Sequence, residues 1–145
     1  MPTILLVDNE PDILAALSAA LEWRGYCVFL SEDGKSALEK AGRMMPDLIV
    51  TDCTMPGMDG IELCRRLKLY PALTTIPVIM VSAHTQLQRT PALWNAFFLK
   101  PIDLDAFEST VALLLLSRPL REMLRPVCSD RAMSRWQPVS SGLIS

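Results

Sequence analysis

The run Leu48-Ile49-Val50-Thr51-Asp52-Cys53-Thr54-Met55-Pro56-Gly57-Met58-Asp59-Gly60 sets the frame for the rest of the chain. Apolar and β-branched residues lead without interruption into an aspartate, as in a strand buried on both faces of a parallel sheet. Pro56, Gly57 and Gly60 then punctuate a turn-rich segment. Ile61-Glu62-Leu63-Cys64-Arg65-Arg66-Leu67 opens a helical pattern. The segment therefore reads as a buried strand ending in a carboxylate, a loop and a helix. In an open parallel α/β sheet, ligands sit beyond the carboxyl ends of the strands, so Asp52 stands where such folds do chemistry. Taken alone, an aspartate in this place also serves simply to cap a turn.

Upstream, Thr3-Ile4-Leu5-Leu6-Val7 is a second continuous apolar run, ending in Asp8-Asn9-Glu10. Pro11 suits the first turn of a helix, where its missing N–H is no loss. Ile13, Leu14, Leu17 and Leu21 recur at helical spacing up to a stop at Gly25. Cys27 to Leu30 reads as a strand, and Asp33-Gly34 opens a short helix carrying Ala37, Leu38 and Ala41. Downstream of the quoted run, the helix extends from about Ile61 to Leu69, and Pro71 and Pro77 bracket a loop. Ile76 to Val81 forms the fourth strand, ending in Ser82-Ala83, and Phe97-Phe98-Leu99 a short fifth, ending in Lys100-Pro101. The last helix starts after Asp103, a good N-cap, with Leu104, Phe107, Val111, Leu114 and Leu115 on one face. Strands and helices alternate, which predicts an α/β fold of three layers, a parallel sheet between helices.

The chain has 145 residues, enough for one domain with a proper core. Half of it is hydrophobic and the formal net charge is −2, which argues against a disordered chain or a general polyanion binder. No apolar run approaches the ~20 residues that span a bilayer; the longest, Val111 to Leu116, lies in a helical pattern. Met1-Pro2-Thr3 lacks the basic region of a signal peptide. A cytoplasmic location is expected, with Cys27, Cys53, Cys64 and Cys128 reduced and showing no metal-binding spacing.

Asp52, Met55, Pro56, Met58, Asp59 and Gly60 together resemble the Asp-x-x-Met-Pro-x-Met-Asp-Gly segment of bacterial response regulator receiver domains. The resemblance extends over roughly residues 3–117. It implies a five-stranded parallel sheet in the flavodoxin-like order 2-1-3-4-5, right-handed crossovers, and a phosphoacceptor at Asp52. Singly, Asp8 would read as a helix cap, Ser82 as a turn residue and Lys100 as a solvated lysine. In a parallel sheet, however, these strand ends share one edge with Asp52. A carboxylate can accept a phosphoryl group, whose charged oxygens must be neutralised during transfer. The resemblance assigns Asp8, Asn9, Asp52 and the backbone carbonyl of Thr54 to a magnesium site; magnesium prefers oxygen ligands. It pairs Lys100 with a phosphoryl oxygen, gives another the Ser82 hydroxyl, and makes Ser82 and Phe97 a coupled switch. It also implies a cis bond before Pro101, fixing the direction of the lysine.

Two features depart from the family. Its second acidic residue after the first strand is here Asn9, which offers a neutral oxygen and removes one negative charge. Reduced magnesium affinity is expected, with Glu10 next door partly compensating through water. The interval from Ser82 to Lys100 is also short: His84 to Thr90 has weak helical patterning and Pro91 interrupts it. The fourth helix is thus expected to be short or displaced, beginning near Pro91 and holding Leu93 and Trp94. His84 reads as a base, a gate or a solvated loop residue.

Residues 1–118 are expected to form the receiver domain and 119–145 a flexible tail with no output domain. The dispersed Arg121, Arg125, Arg131 and Arg135, accompanied by Glu122 and Asp130, speak against nucleic-acid binding. The expected partner is a histidine kinase or histidine phosphotransfer protein, met by the first helix through Ala15, Ala16, Ala19 and Trp23. Homodimerisation through the fourth helix, fifth strand and last helix is open, with Leu113 and Leu116 available for it. The resulting expectation is a phosphorelay switch that catalyses its own phosphorylation and dephosphorylation rather than a turnover enzyme. A pseudo-receiver acting without phosphate is the alternative. A phosphatase with an aspartyl-phosphate intermediate usually needs a second aspartate at the position of Thr54.

Overall fold

The computed structural model describes residues 1–83 and 93–116. Strands β1 (Thr3–Val7), β2 (Cys27–Ser31), β3 (Leu48–Asp52), β4 (Val78–Ser82) and β5 (Ala96–Leu99) alternate with helices α1 (Pro11–Trp23), α2 (Gly34–Met44) and α3 (Gly60–Lys68); α4 (Leu104–Leu116) follows β5 and is the last element among the described residues. The strands form one parallel sheet in the order β2-β1-β3-β4-β5. This is the expected flavodoxin-like arrangement.

Both faces of the sheet are covered, which explains why its central strands read as unbroken apolar runs. Successive side chains alternate between faces. Ile4, Leu6, Leu48, Val50, Ile79 and Val81 pack against Leu14, Leu17 and Leu21 of α1 and Phe107, Val111 and Leu115 of α4. Leu5, Val7, Ile49 and Met80 face the other way, against Ala37 and Ala41 of α2 and Leu63 and Leu67 of α3. The edge strand β2 leaves Phe29 and Leu30 partly exposed. On β5, Phe98 meets Phe107 edge-to-face, with ring centroids 5.7 Å apart.

Helix starts follow the local chemistry. The Asp33 carboxylate accepts from the Ser36 amide at 2.8 Å, and that of Asp59 from the Glu62 amide at 2.8 Å. Asp103 caps α4 in the same way, accepting from the Ala106 amide at 3.2 Å.

Some boundaries differ from the sequence expectation. The β4 ladder begins at Val78, because Pro77 has no N–H to give; its carbonyl still accepts from Ile49 at 3.0 Å. Leu104 is exposed, since the buried stripe of α4 runs through Phe107, Val111 and Leu115. Leu93 and Trp94 are not helical but form a bend into β5, with Trp94 buried against the core. Asn95 secures this bend: its amide donates to the Val78 carbonyl at 2.8 Å, and its side chain accepts from the Val78 amide at 2.9 Å. The stretch expected to hold the start of the fourth helix, His84 included, lies outside the described residues, as does the tail from 119 to 145. Among the described residues, no helix is long and apolar enough to cross a membrane.

Candidate functional site

Because the strands are parallel, their carboxyl ends share an edge of the sheet. Asp8 follows β1, Asp52 ends β3, Ser82 ends β4 and Lys100 follows β5. Backbone bonds carry the ladders to these ends. The Asp8 amide donates to the Ser31 carbonyl at 3.1 Å, Cys53 to Val81 at 2.8 Å and Lys100 to Ser82 at 2.9 Å. Asp8, Asp52 and Ser82 are buried, so each is held by packing as well.

The side chains of three of these residues converge. The Lys100 Nζ lies 3.4 Å from Asp8 Oδ2, 3.5 Å from Asp52 Oδ1 and 2.9 Å from Glu10 Oε1. Asp8 Oδ1 accepts from the Glu10 amide at 2.9 Å. Asp52 accepts a further hydrogen bond from the Thr54 backbone amide. The Lys100–Pro101 peptide bond is cis, as expected.

The electrostatics follow from this crowding. Burial raises the Asp52 carboxyl above its ordinary pKa, and the charge of Asp8 adds to the effect; Lys100 and the Thr54 amide offset only part of it. Burial pulls Lys100 down, but the hydrogen bond to Glu10 and the charges of Asp52 and Asp8 outweigh that and raise it. Lys100 therefore remains an ammonium. Cys53, next to Asp52, is buried, and its thiol is raised by burial and by the charges of Asp59 and Asp52. Burial pushes Cys64 up to about 12. Neither thiol has the low pKa of a reactive cysteine.

The loop after β3 is seated by glycine. A Cβ on Gly60 would stand 2.3 Å from the Asp52 carbonyl oxygen and 3.0 Å from the Cys53 Cα. The Gly60 amide donates to the Cys53 carbonyl at 2.8 Å. The start of α3 thus closes directly onto the backbone of Asp52 and Cys53.

Not every expected residue joins the cluster. Asn9 is exposed, and it is Glu10 that reaches Lys100. From the sequence Glu10 is expected to act only through water; its direct contact with Lys100 spans ninety positions. Ser82 is buried at the end of the strand beside β3, and Thr54 is exposed with its amide on Asp52. Phe97 is half-buried and packs on the core cluster that includes Met80 and Trp94. Ala15, Ala16, Ala19 and Trp23 lie exposed on α1.

Asp8, Glu10 and Asp52 each offer an oxygen, and these atoms lie within 4.8 Å of one another. An all-oxygen anionic donor set suits a hard divalent cation such as magnesium. The residues fit that group.

A family model for the response regulator receiver domain matches residues 4–112. The chain belongs to this family, whose members act in two-component signalling and interact with histidine kinases or phosphotransfer proteins. It is 31% identical over 121 residues to protein PilH of Pseudomonas aeruginosa, covering 79% of this chain and 98% of PilH. It is 34% identical over 119 residues to the DNA-binding dual master transcriptional regulator RpaA of Synechocystis, covering 79% of this chain and 49% of RpaA. The chain spans about half or less of the first curated relatives it matches. Among solved structures it resembles the response regulator protein TrrA of Thermotoga maritima in complex with Mg(2+)-BeF. That match has a TM-score of 0.73 and 27% identity, covering 79% of this chain and 99% of that one.

Proposed function

We propose that this chain is a phosphoacceptor switch, taking a phosphoryl group onto Asp52 from a phosphohistidine of a histidine kinase or phosphotransfer protein. The observation that carries the reading is the convergence of Lys100 on Asp8 and Asp52, buried carboxylates from separate strand ends. An Asp52 Oδ attacks phosphorus; the P–O bond forms as the P–N bond to imidazole breaks, and the imidazole nitrogen keeps the electron pair. The Thr54 amide orients the attacking carboxylate. Lys100 pairs its ammonium with a phosphoryl oxygen, and Ser82 donates its hydroxyl to another. Asp8, Asp52, Asn9 and the Thr54 carbonyl would hold magnesium, with Glu10 adding negative charge beside them. Magnesium, when bound, supplies charge neutralisation at the phosphoryl oxygens.

The output is a protein contact. Ser82 moving toward the phosphoryl group and Phe97 turning inward form the switch, a local charge change biasing a two-state element. The exposed face of α1 with Ala15, Ala16, Ala19 and Trp23 receives the phosphodonor. Intact mass after incubation with acetyl phosphate and magnesium tests the reading: wild type gains a phosphoryl group and Asp52→Ala does not. No adduct at high magnesium would leave a pseudo-receiver acting through its surface.

A further inference from the structure

Helix α1 begins at Pro11 with Glu10 as its N-cap. Ser, Thr, Asp and Asn are the residues favoured there, because a short side chain can accept from the exposed helical amides. Glu10 makes no such bond. Its amide donates instead to Asp8 Oδ1 at 2.9 Å, and its carboxylate takes the Lys100 ammonium at 2.9 Å. That is shorter than the approaches of the same ammonium to Asp8 at 3.4 Å and Asp52 at 3.5 Å. The Glu10 side chain is 58% exposed, whereas those of Asp8 and Asp52 are 5% and 6% exposed. Lys100 is therefore held most closely from the solvent side of the cluster.

We propose that Glu10 is a positioning residue for phosphoryl transfer: it holds Lys100 at the outer edge of the carboxylate cluster and opposes the approach of the ammonium to a phosphoryl group on Asp52. A glutamate at the N-cap thereby gives up helix capping for control of a lysine ninety positions away. The role in transfer rests on Asp52 being the acceptor.

Glu10→Gln keeps the size of the side chain and removes its charge. The phosphorylation rate constant with acetyl phosphate, at saturating magnesium, is expected to rise about two- to fivefold. This is the scale of an exposed ion pair of up to ~1 kcal/mol released from competition. A rate that is unchanged, or that falls, overturns the proposal; a fall would mark Glu10 as a donor to the metal instead. A double-mutant cycle in urea tests the contact without any phosphodonor. Glu10→Gln shifts the unfolding midpoint more unfavourably in the native chain than in a Lys100→Gln background. Equal shifts in the two backgrounds overturn the contact. If wild type accepts no phosphoryl group, the Asp52 reading fails and the role in transfer falls with it, while the cycle still decides whether Glu10 holds Lys100.

Discussion

Burying Asp52 beside Asp8 works against folding, because desolvation and a like charge both penalise the ionised carboxyl. Its pKa lies above the ordinary 3.8, so the folded state binds this proton more tightly than the unfolded chain. The associated stability is full below pH 3.8 and is lost as pH rises through the elevated pKa. Asp52→Asn removes that loss. In a chelator, its urea unfolding free energy is expected to exceed that of wild type by about 1 kcal/mol near neutrality. The advantage should shrink as pH falls toward 3.8; a gap independent of pH would contradict it. At this scale the placement of Asp8, Asp52, Ser82 and Lys100 on one edge is legible in the sequence because each ends or directly follows a strand, and parallel strand ends share an edge. The contact of Glu10 with Lys100 was not. It depends on how the chain turns from β1 into α1, and its only local trace is a glutamate where a capping residue belongs.

The element that seats the end of β3 at Asp52 is α3, through its first residue. Gly60 lets the helix approach the Asp52 carbonyl more closely than any Cβ would permit. Gly60→Ala sets side chain against backbone, where neither can yield cheaply, and is expected to cost about 2–3 kcal/mol in urea unfolding. Phosphorylation should slow along with it; a variant as stable as wild type would contradict the close approach. In the sequence Gly60 is turn punctuation and the end of the family-like segment; its close packing on the Asp52 backbone is not visible there, because a steric demand against another backbone segment has no local pattern. Strand β3, by contrast, was readable to the residue, since its apolar run and its terminal aspartate coincide with its ends. Leu93 and Trp94, expected in a helix, form a bend. Trp94 is buried by packing against the core, which a helical pattern alone does not distinguish.

For the molecule as a whole, alternation of strands and helices gave the three layers, while the strand order rested on the family resemblance. Apolar periodicity shows that both faces of the sheet are covered but not which strands are neighbours. A cation held only by the folded protein stabilises it by linkage, about 1.4 kcal/mol at ten times its Kd. Magnesium is thus expected to raise the thermal midpoint by a few degrees, and Asp52→Asn to weaken that response. Asn9→Asp, which restores a charge beside Asp8, should reach the same shift at lower magnesium; an unchanged titration would count against the cost assigned to Asn9. Acyl phosphates are reduced by borohydride to the alcohol, so a phosphorylated aspartate becomes homoserine. The most direct test is peptide mass spectrometry of the chain after acetyl phosphate, magnesium and borohydride. Homoserine at position 52, absent without phosphodonor, is the predicted result; an unmodified Asp52, or homoserine at Asp8 instead, would contradict the assignment of Asp52 as the acceptor.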